Sequence, residues 1–334
     1  MIRTTLGDMA QQFMLRRQNY TLQTEYSRRI TELSTGEVAD VSSHLSGDFT
    51  AISGIQRSLT LNESYGSVLS SAKTFIDAQL LAFQKARSHT LETGYALVEA
   101  AESVDQTRRE SVLAESRTNF DFIISSLNSQ VAGRSLFSGS DTQTSSYASP
   151  KDILLAFSSE VSGLTTADEI VAAADVWFAP GGGYDTQAYT GSLVPLDGFA
   201  SSQTDVVAPT LSGDHDNLRE LVKLHVLSAA MADGSTPLIE AEKSVLFKVV
   251  GERMVNLDRN LVVTESQIGG LQKHVDNLLA QNSAEKYSLL TARKDLIGVD
   301  TSETVMRLTE VEAQLQSLYV VTAKVSRLSL TEYL

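Results

Sequence analysis

The side chains best suited to chemistry are few and scattered. The five histidines, His44, His89, His215, His225 and His274, include no pair at the i, i+4 spacing that sets two imidazoles on one helical face for a zinc ion. Only His215 has immediate acidic neighbours, Asp214 and Asp216. Adjacent side chains project in different directions, so this triplet reads as an acidic helix start that complements the helix dipole. Gly181-Gly182-Gly183 lacks the following Lys-Ser/Thr of a phosphate loop and reads as a flexible turn. No G-x-S-x-G elbow singles out one of the many serines as an activated nucleophile. Cysteine is absent, which removes disulfides, thiolate metal sites and a thiol nucleophile together. Phe75, Phe83, Phe120 and Phe122 read as core positions rather than an aromatic platform. Asn19-Tyr20-Thr21 and Asn62-Glu63-Ser64 match the glycosylation pattern inside predicted helices. The sequence therefore predicts no catalytic residue, no metal site and no cofactor, and a protein that is not an enzyme.

Charge and hydropathy narrow the partners. The 334 residues carry a formal net charge of -14, so a long-range attraction to nucleic acid phosphates is missing. Anionic membrane surfaces are disfavoured for the same reason. Hydrophobic residues make up 42% of the chain and its mean hydropathy is -0.07, which supports a real but lean core. No stretch approaches the roughly 20 apolar residues that span a bilayer. The segment from Met1 to Tyr20 lacks the apolar core and small-residue site of a cleavable secretory signal.

With so little chemistry to position, the elements themselves become the main signal. The five prolines, Pro150, Pro180, Pro195, Pro209 and Pro237, all fall mid-chain. Proline costs about 3 kcal/mol inside a helix, so the long flanks without it permit long helices. Spacings of three and four alternate along Leu308, Val311, Leu315, Leu318, Thr322 and Val325, a heptad seam. The same alternation runs through Leu257, Leu261, Thr264, Ile268, Leu271, Val275 and Leu278. Near the start, Ile2, Leu6, Met9 and Phe13 form one stripe, and Leu22, Tyr26, Ile30 and Leu33 a second. Leu69, Ala72, Ile76 and Phe83 line up in the first flank, followed by Leu113, Phe120, Ile123 and Leu127.

Ser34-Thr35-Gly36 is expected to end the first helix, with Gly36 at positive φ. A long helix is then expected from near Thr50 to about His89, weakened at Thr93-Gly94, with another from Val104 to Val131. Pro150 fits a helix start, and so does Thr165-Thr166-Ala167-Asp168-Glu169, with a threonine as N-cap. Between Tyr189 and Val207, short apolar runs suggest two or three strands. The predicted fold is mainly α: a long helical bundle with paired N- and C-terminal coiled-coil arms and a central α+β insert domain. Its segments are 1–48, an N-terminal assembly helix and loop; 49–139, the first part of the bundle; 140–213, the variable insert; 214–300, the second part of the bundle; and 301–334, a C-terminal assembly helix.

Three ordered segments then carry a resemblance. Arg28-Arg29-Ile30-Thr31-Glu32-Leu33-Ser34-Thr35-Gly36 resembles the segment ending Leu-Ser-Thr/Ser-Gly near the N-terminus of flagellins and hook-associated proteins. Gly133-Arg134-Ser135-Leu136-Phe137-Ser138-Gly139-Ser140 is similar to the stretch that closes the N-terminal helical region of the hook–filament junction proteins. The ending Leu328-Ser329-Leu330-Thr331-Glu332-Tyr333-Leu334 resembles that of the FlgL type. Together these cover roughly 1–140 and 245–334. One departure is the loop Glu37 to Asp48, where the family often carries a basic residue and an Asp-Asp pair.

The resemblance implies a structural subunit of the flagellum, exported without a cleavable signal through the flagellar type III apparatus and located outside the cell. It implies as partners other copies of the chain, a hook-side junction protein, flagellin and an export chaperone. The expected assembly seam pairs Ile2, Leu6, Met9, Phe13, Leu22, Tyr26 and Ile30 with Leu308, Val311, Leu315, Leu318 and Val325. Flagellin itself is the nearest alternative, followed by a cytoplasmic coiled-coil adaptor.

Overall fold

The computed structural model describes residues 6–202, 205–209, 211–232 and 238–331. Among them the chain is mainly α-helical, with two small two-stranded sheets. In order come α1 (Leu6–Thr35), α2 (Val41–His44), α3 (Thr50–Glu102), α4 (Gln106–Leu127), β1 (Gln130–Val131) and β2 (Arg134–Ser135). They are followed by α5 (Pro150–Glu160), α6 (Ala167–Trp177), a π-helical turn (Tyr184–Ala188), β3 (Phe199–Ala200) and β4 (Val206–Val207). The chain continues with α7 (Asp216–Ala232), α8 (Glu240–Ile297) and α9 (Thr301–Thr331). Two compact units result: Met1–Glu63 with Ser283–Leu334, and Ser64–Asn282. The long helices α3 and α8 contribute to both.

Within Ser64–Asn282, α3 and α8 run antiparallel, and paired side chains set their register. Lys73 meets Asp276 at 2.8 Å and Gln272 donates to Asp77 at 2.6 Å, while Arg87 reaches Asp258 at 2.7 Å and Glu265 at 2.6 Å. Such partly exposed pairs each add little net stability, so they serve mainly to fix register. Leu257, Leu261, Thr264, Ile268 and Val275 are buried along α8, and Leu69, Ala72, Ile76 and Phe83 along α3. Phe122 departs from the core reading. It is 38% exposed and its ring packs on His89 at 4.3 Å.

Two glycines account for the largest difference from the sequence-based boundaries. The helix expected to weaken at Thr93-Gly94 runs unbroken for 53 residues. Gly94 instead lets α3 and α8 approach closely, since a Cβ there would lie 2.8 Å from Met254 Cβ. Opposite it, a Cβ on Gly251 would lie 2.8 Å from Gly94 O and 2.9 Å from Val98 N, both immovable backbone atoms. Gly269 lies in the same α8 with nothing within 4 Å of its missing Cβ. Glycine costs a helix about 1 kcal/mol relative to alanine, so the two sites should respond with opposite signs. Gly251→Ala is expected to destabilise the unit by about 1–3 kcal/mol through overpacking. Gly269→Ala is expected to stabilise it by up to about 1 kcal/mol. Chemical denaturation of both variants checks this, and equal signs would refute the account.

The region 140–213 shares one core with its flanking helices. α5 and α6 pack on α7, and α7 also lies along α4, so that nearly every residue from Leu218 to Met231 is buried. Ser149 caps α5, and Thr166 caps α6 in a reciprocal capping box with Glu169. The expected strands reduce to β3 and β4, paired Phe199 with Val207 and Ala200 with Val206. Helices and loops provide the rest. Arg219 ties the region together: its guanidinium covers the Tyr184 ring at 4.5 Å and meets Asp185 at 2.7 Å and Asp214 at 2.5 Å. Tyr184 donates to Gly213 O at 2.6 Å, and burial holds its phenol well above the ordinary tyrosine range. The entry to α7 is capped by His215, whose Nδ1 accepts from Asn217 N–H at 3.2 Å, while Asp214 serves Arg219.

Candidate assembly interface

The Met1–Glu63 and Ser283–Leu334 unit is organised by α1 and α9, which pack along each other. They run antiparallel. The C-terminal end of α1 meets the start of α9 through Val299 N–H and Gly36 O at 3.0 Å, and further out Gln23 Nε2 reaches Tyr319 OH at 3.3 Å. Gly36 follows α1 at φ +71, so the chain turns where an L side chain would be strained. Asp300 starts α9 by accepting from Ser302 N at 2.8 Å and Glu303 N at 3.1 Å.

On α9 the expected seam residues share the face turned to α1. Val311, Leu315 and Leu318 are buried, with Leu308 and Val325 half-buried at its edges. Thr304, also buried, extends that face toward the linker. On α1 only part of the expected set lies there. Leu22 and Tyr26 are half-buried, whereas Met9 and Phe13 are 66% and 68% exposed and Ile30 is 43% exposed. Among the half-buried residues of α1, Leu15, Asn19, Leu22, Tyr26 and Arg29 alternate four and three, with Glu25 and Arg28 half-buried beside them. This stripe was obscured because two of its members are polar. Ile2, Tyr333 and Leu334 lie outside the described residues, and of Leu6, Leu328 and Leu330 only helical backbone is described.

Arg29 occupies a seam position because its charge is answered locally. Its guanidinium bonds Glu25 and, at 2.8 Å, Glu32. The Glu32 carboxylate, 1% exposed, also accepts from Arg28 at 3.1 Å and from the Ala39 backbone N–H at 3.3 Å. Burial by itself would raise the carboxyl pKa of Glu32. The Ala39 N–H and the two arginines outweigh burial and hold it below the ordinary glutamate value. The charge is therefore buried with partners on every side, as a buried carboxylate requires.

The two family-like segments inside the described residues have structural explanations. Leu33, Ser34 and Thr35 form the exposed end of α1, and Gly36 makes the turn. Gln130 to Ser135 forms a hairpin whose two central residues, Ala132 and Gly133, both have positive φ (49 and 75), the requirement of its tight turn. Arg134 lies over Phe75 and Phe199 at 5.6 and 5.1 Å, and Leu136 and Phe137 are buried. At Gly139 a Cβ would fall 2.4 Å from Ser192 O, so only glycine fits.

Among the described residues no three His, Asp or Glu side chains cluster where they could hold a metal ion. No helix there is long and apolar enough to cross a membrane. What the terminal unit offers is contact area. Met9, Phe13 and Tyr20 project from α1 on the side away from its seam, and Met306 and Val320 do so from α9, each at least 55% exposed.

No protein-family model matches the chain, and no curated protein matches it in sequence. Among solved structures, it is similar to one described as "Structure of putative flagellar hook-associated protein from Vibrio parahaemolyticus". The two share 16% identity with a TM-score of 0.49, over 75% of this chain and 99% of the other.

Proposed function

We propose that this protein is a structural subunit of the bacterial flagellum, a hook-associated protein that joins hook to filament and polymerises through its paired terminal helices. The observation that carries this reading is the antiparallel pairing of α1 with α9, the two ends of the chain, with large apolar side chains left on their outer faces. Each buried side chain of that size is worth roughly 1.5–3 kcal/mol, so neighbouring subunits that cover Met9, Phe13, Tyr20, Met306 and Val320 would gain substantially from association. The three ordered segments at Leu33–Gly36, Gly133–Gly139 and Leu328–Leu334 supply the flagellar part of the reading. In this role the subunit works by contact rather than catalysis, outside the cell, against other copies of itself, a hook-side junction protein and flagellin, after delivery by an export chaperone.

Deleting the gene tests the proposal. Electron microscopy should show bare hooks, with flagellin secreted into the medium but not polymerised. Filaments of normal length on the deletion strain would overturn it. Loss of all secreted flagellin would point to an export defect and also count against a junction role.

A further inference from the structure

Two short non-helical connections join the terminal helices to the rest of the chain: residues 36–40 after α1 and residues 298–300 before α9. They are not independent. Glu37 and Gly298 form an antiparallel bridge, flanked by reciprocal backbone hydrogen bonds from Val38 N–H to Ile297 O at 2.8 Å and from Val299 N–H to Gly36 O at 3.0 Å. Side chains reinforce this lacing. Arg293 donates to Glu37 at 2.8 Å, and His44 Nε2 lies 3.1 Å from Leu296 O. Gly298 lets the chain leave α8, since a Cβ there would sit 2.3 Å from Lys294 O in the last turn of that helix. A polar cavity of about 270 Å³ lies beside the laced segment, lined by Arg28, Arg29, Glu32, Thr304 and Arg307.

We infer that the two connections form a single laced hinge, so that the N- and C-terminal helices reorient together and the two linkers open as one unit. The physical basis is economy of opening. Either linker can change its φ and ψ only by giving up both cross-linker hydrogen bonds, because each donor and its acceptor lie on opposite strands. A subunit built this way can adjust the direction of its terminal pair without unpairing α1 from α9. The adjoining polar cavity leaves room for that adjustment. The Glu32 bond to Ala39 N–H holds the first linker to the last turns of α1, so the closed hinge has a defined geometry.

Hydrogen exchange on the full chain tests this. In the soluble wild-type protein the Val38 and Val299 amides should be protected and should exchange at rates within about threefold of each other, as members of one opening unit. Rates differing by more than about tenfold, or no protection at either amide, would overturn the inference. The cross-linker test is Val38→Pro, which removes one donor from a position preceded by an extended residue, where proline is tolerated. It should accelerate Val299 exchange, in the other linker, by at least about tenfold, while the Leu315 amide stays protected. Arg293→Ala, which leaves both backbone bonds in place, should change Val299 exchange by less than about twofold. Unchanged Val299 exchange in Val38→Pro would overturn the coupling. If that variant also unfolds the seam, the matched wild-type rates decide.

Discussion

Replacing Leu315 by aspartate is expected to separate α9 from α1, abolish incorporation into the flagellum and leave Ser64–Asn282 folded. Leu315 is 8% exposed at the middle of the α9 seam, between Val311 and Leu318. Losing a buried leucine costs about 2–5 kcal/mol, and an unpaired carboxylate in its place adds a desolvation penalty. The seam is narrow, and the pairing of two helices of 30 and 31 residues has few other contacts to absorb that loss. Hydrogen exchange should show amides of both α1 and α9 losing protection, including those far from residue 315. The denaturation midpoint of Ser64–Asn282 should stay put, because its core contains none of these residues. Leu315→Met, which conserves volume, should retain assembly. An aspartate variant that still supports normal filaments would show that this seam is not the assembly contact.

Mild acid is expected to weaken Ser64–Asn282 through one histidine. His225 is fully buried on α7, and Thr90 Oγ1 lies 2.9 Å from its Nε2. Thr90 Oγ1 already donates to Ala86 O, so it accepts from Nε2–H, while the buried Nδ1 has no partner to stabilise a second proton. Burial, with a smaller contribution from nearby His89, pushes the pKa of His225 down from 6.5 to about 3. The folded state therefore refuses a proton that the unfolded chain accepts below pH 6.5. The stability tied to this group is complete above that pH and falls by about 1.4 kcal/mol per pH unit below it, until the folded group itself protonates near pH 3. Between pH 6.5 and 5 the loss should reach about 2 kcal/mol, before most carboxylates begin to titrate. His225→Gln should be less stable at pH 7.5 yet show a flatter dependence across this window. Denaturant titrations at several pH values check the difference, and identical slopes would refute the assignment.

Much of this architecture was legible in the chain before folding. The absence of proline from both flanks and the alternation from Leu257 to Leu278 state a long helix directly, because helical period is a local property of backbone geometry. Gly36, Thr166 and Pro150 mark ends for the same reason: their dihedral and capping preferences act within a few residues. The seam on α9 was equally plain, since all its members are aliphatic.

The face of α1 that meets it was not plain. Met9 and Phe13 have the right spacing, but each residue advances the helix by about 100°, so Phe13 points nearly opposite Leu15. Nothing local says which of two stripes will meet α9. The stripe that meets α9 contains Asn19 and Arg29, and Glu25 and Glu32 neutralise Arg29 there. Gly94 and Gly251 were hidden in the same way. A glycine inside a helix reads as weakness until a second helix is placed against it, and only the crossing of α3 with α8 turns the missing Cβ into a fit. The sequence alone determined where helices run and where they stop. Tertiary structure decided which faces meet, how the two linkers are laced and which apolar side chains stay exposed, because those outcomes depend on neighbours that are distant in the chain.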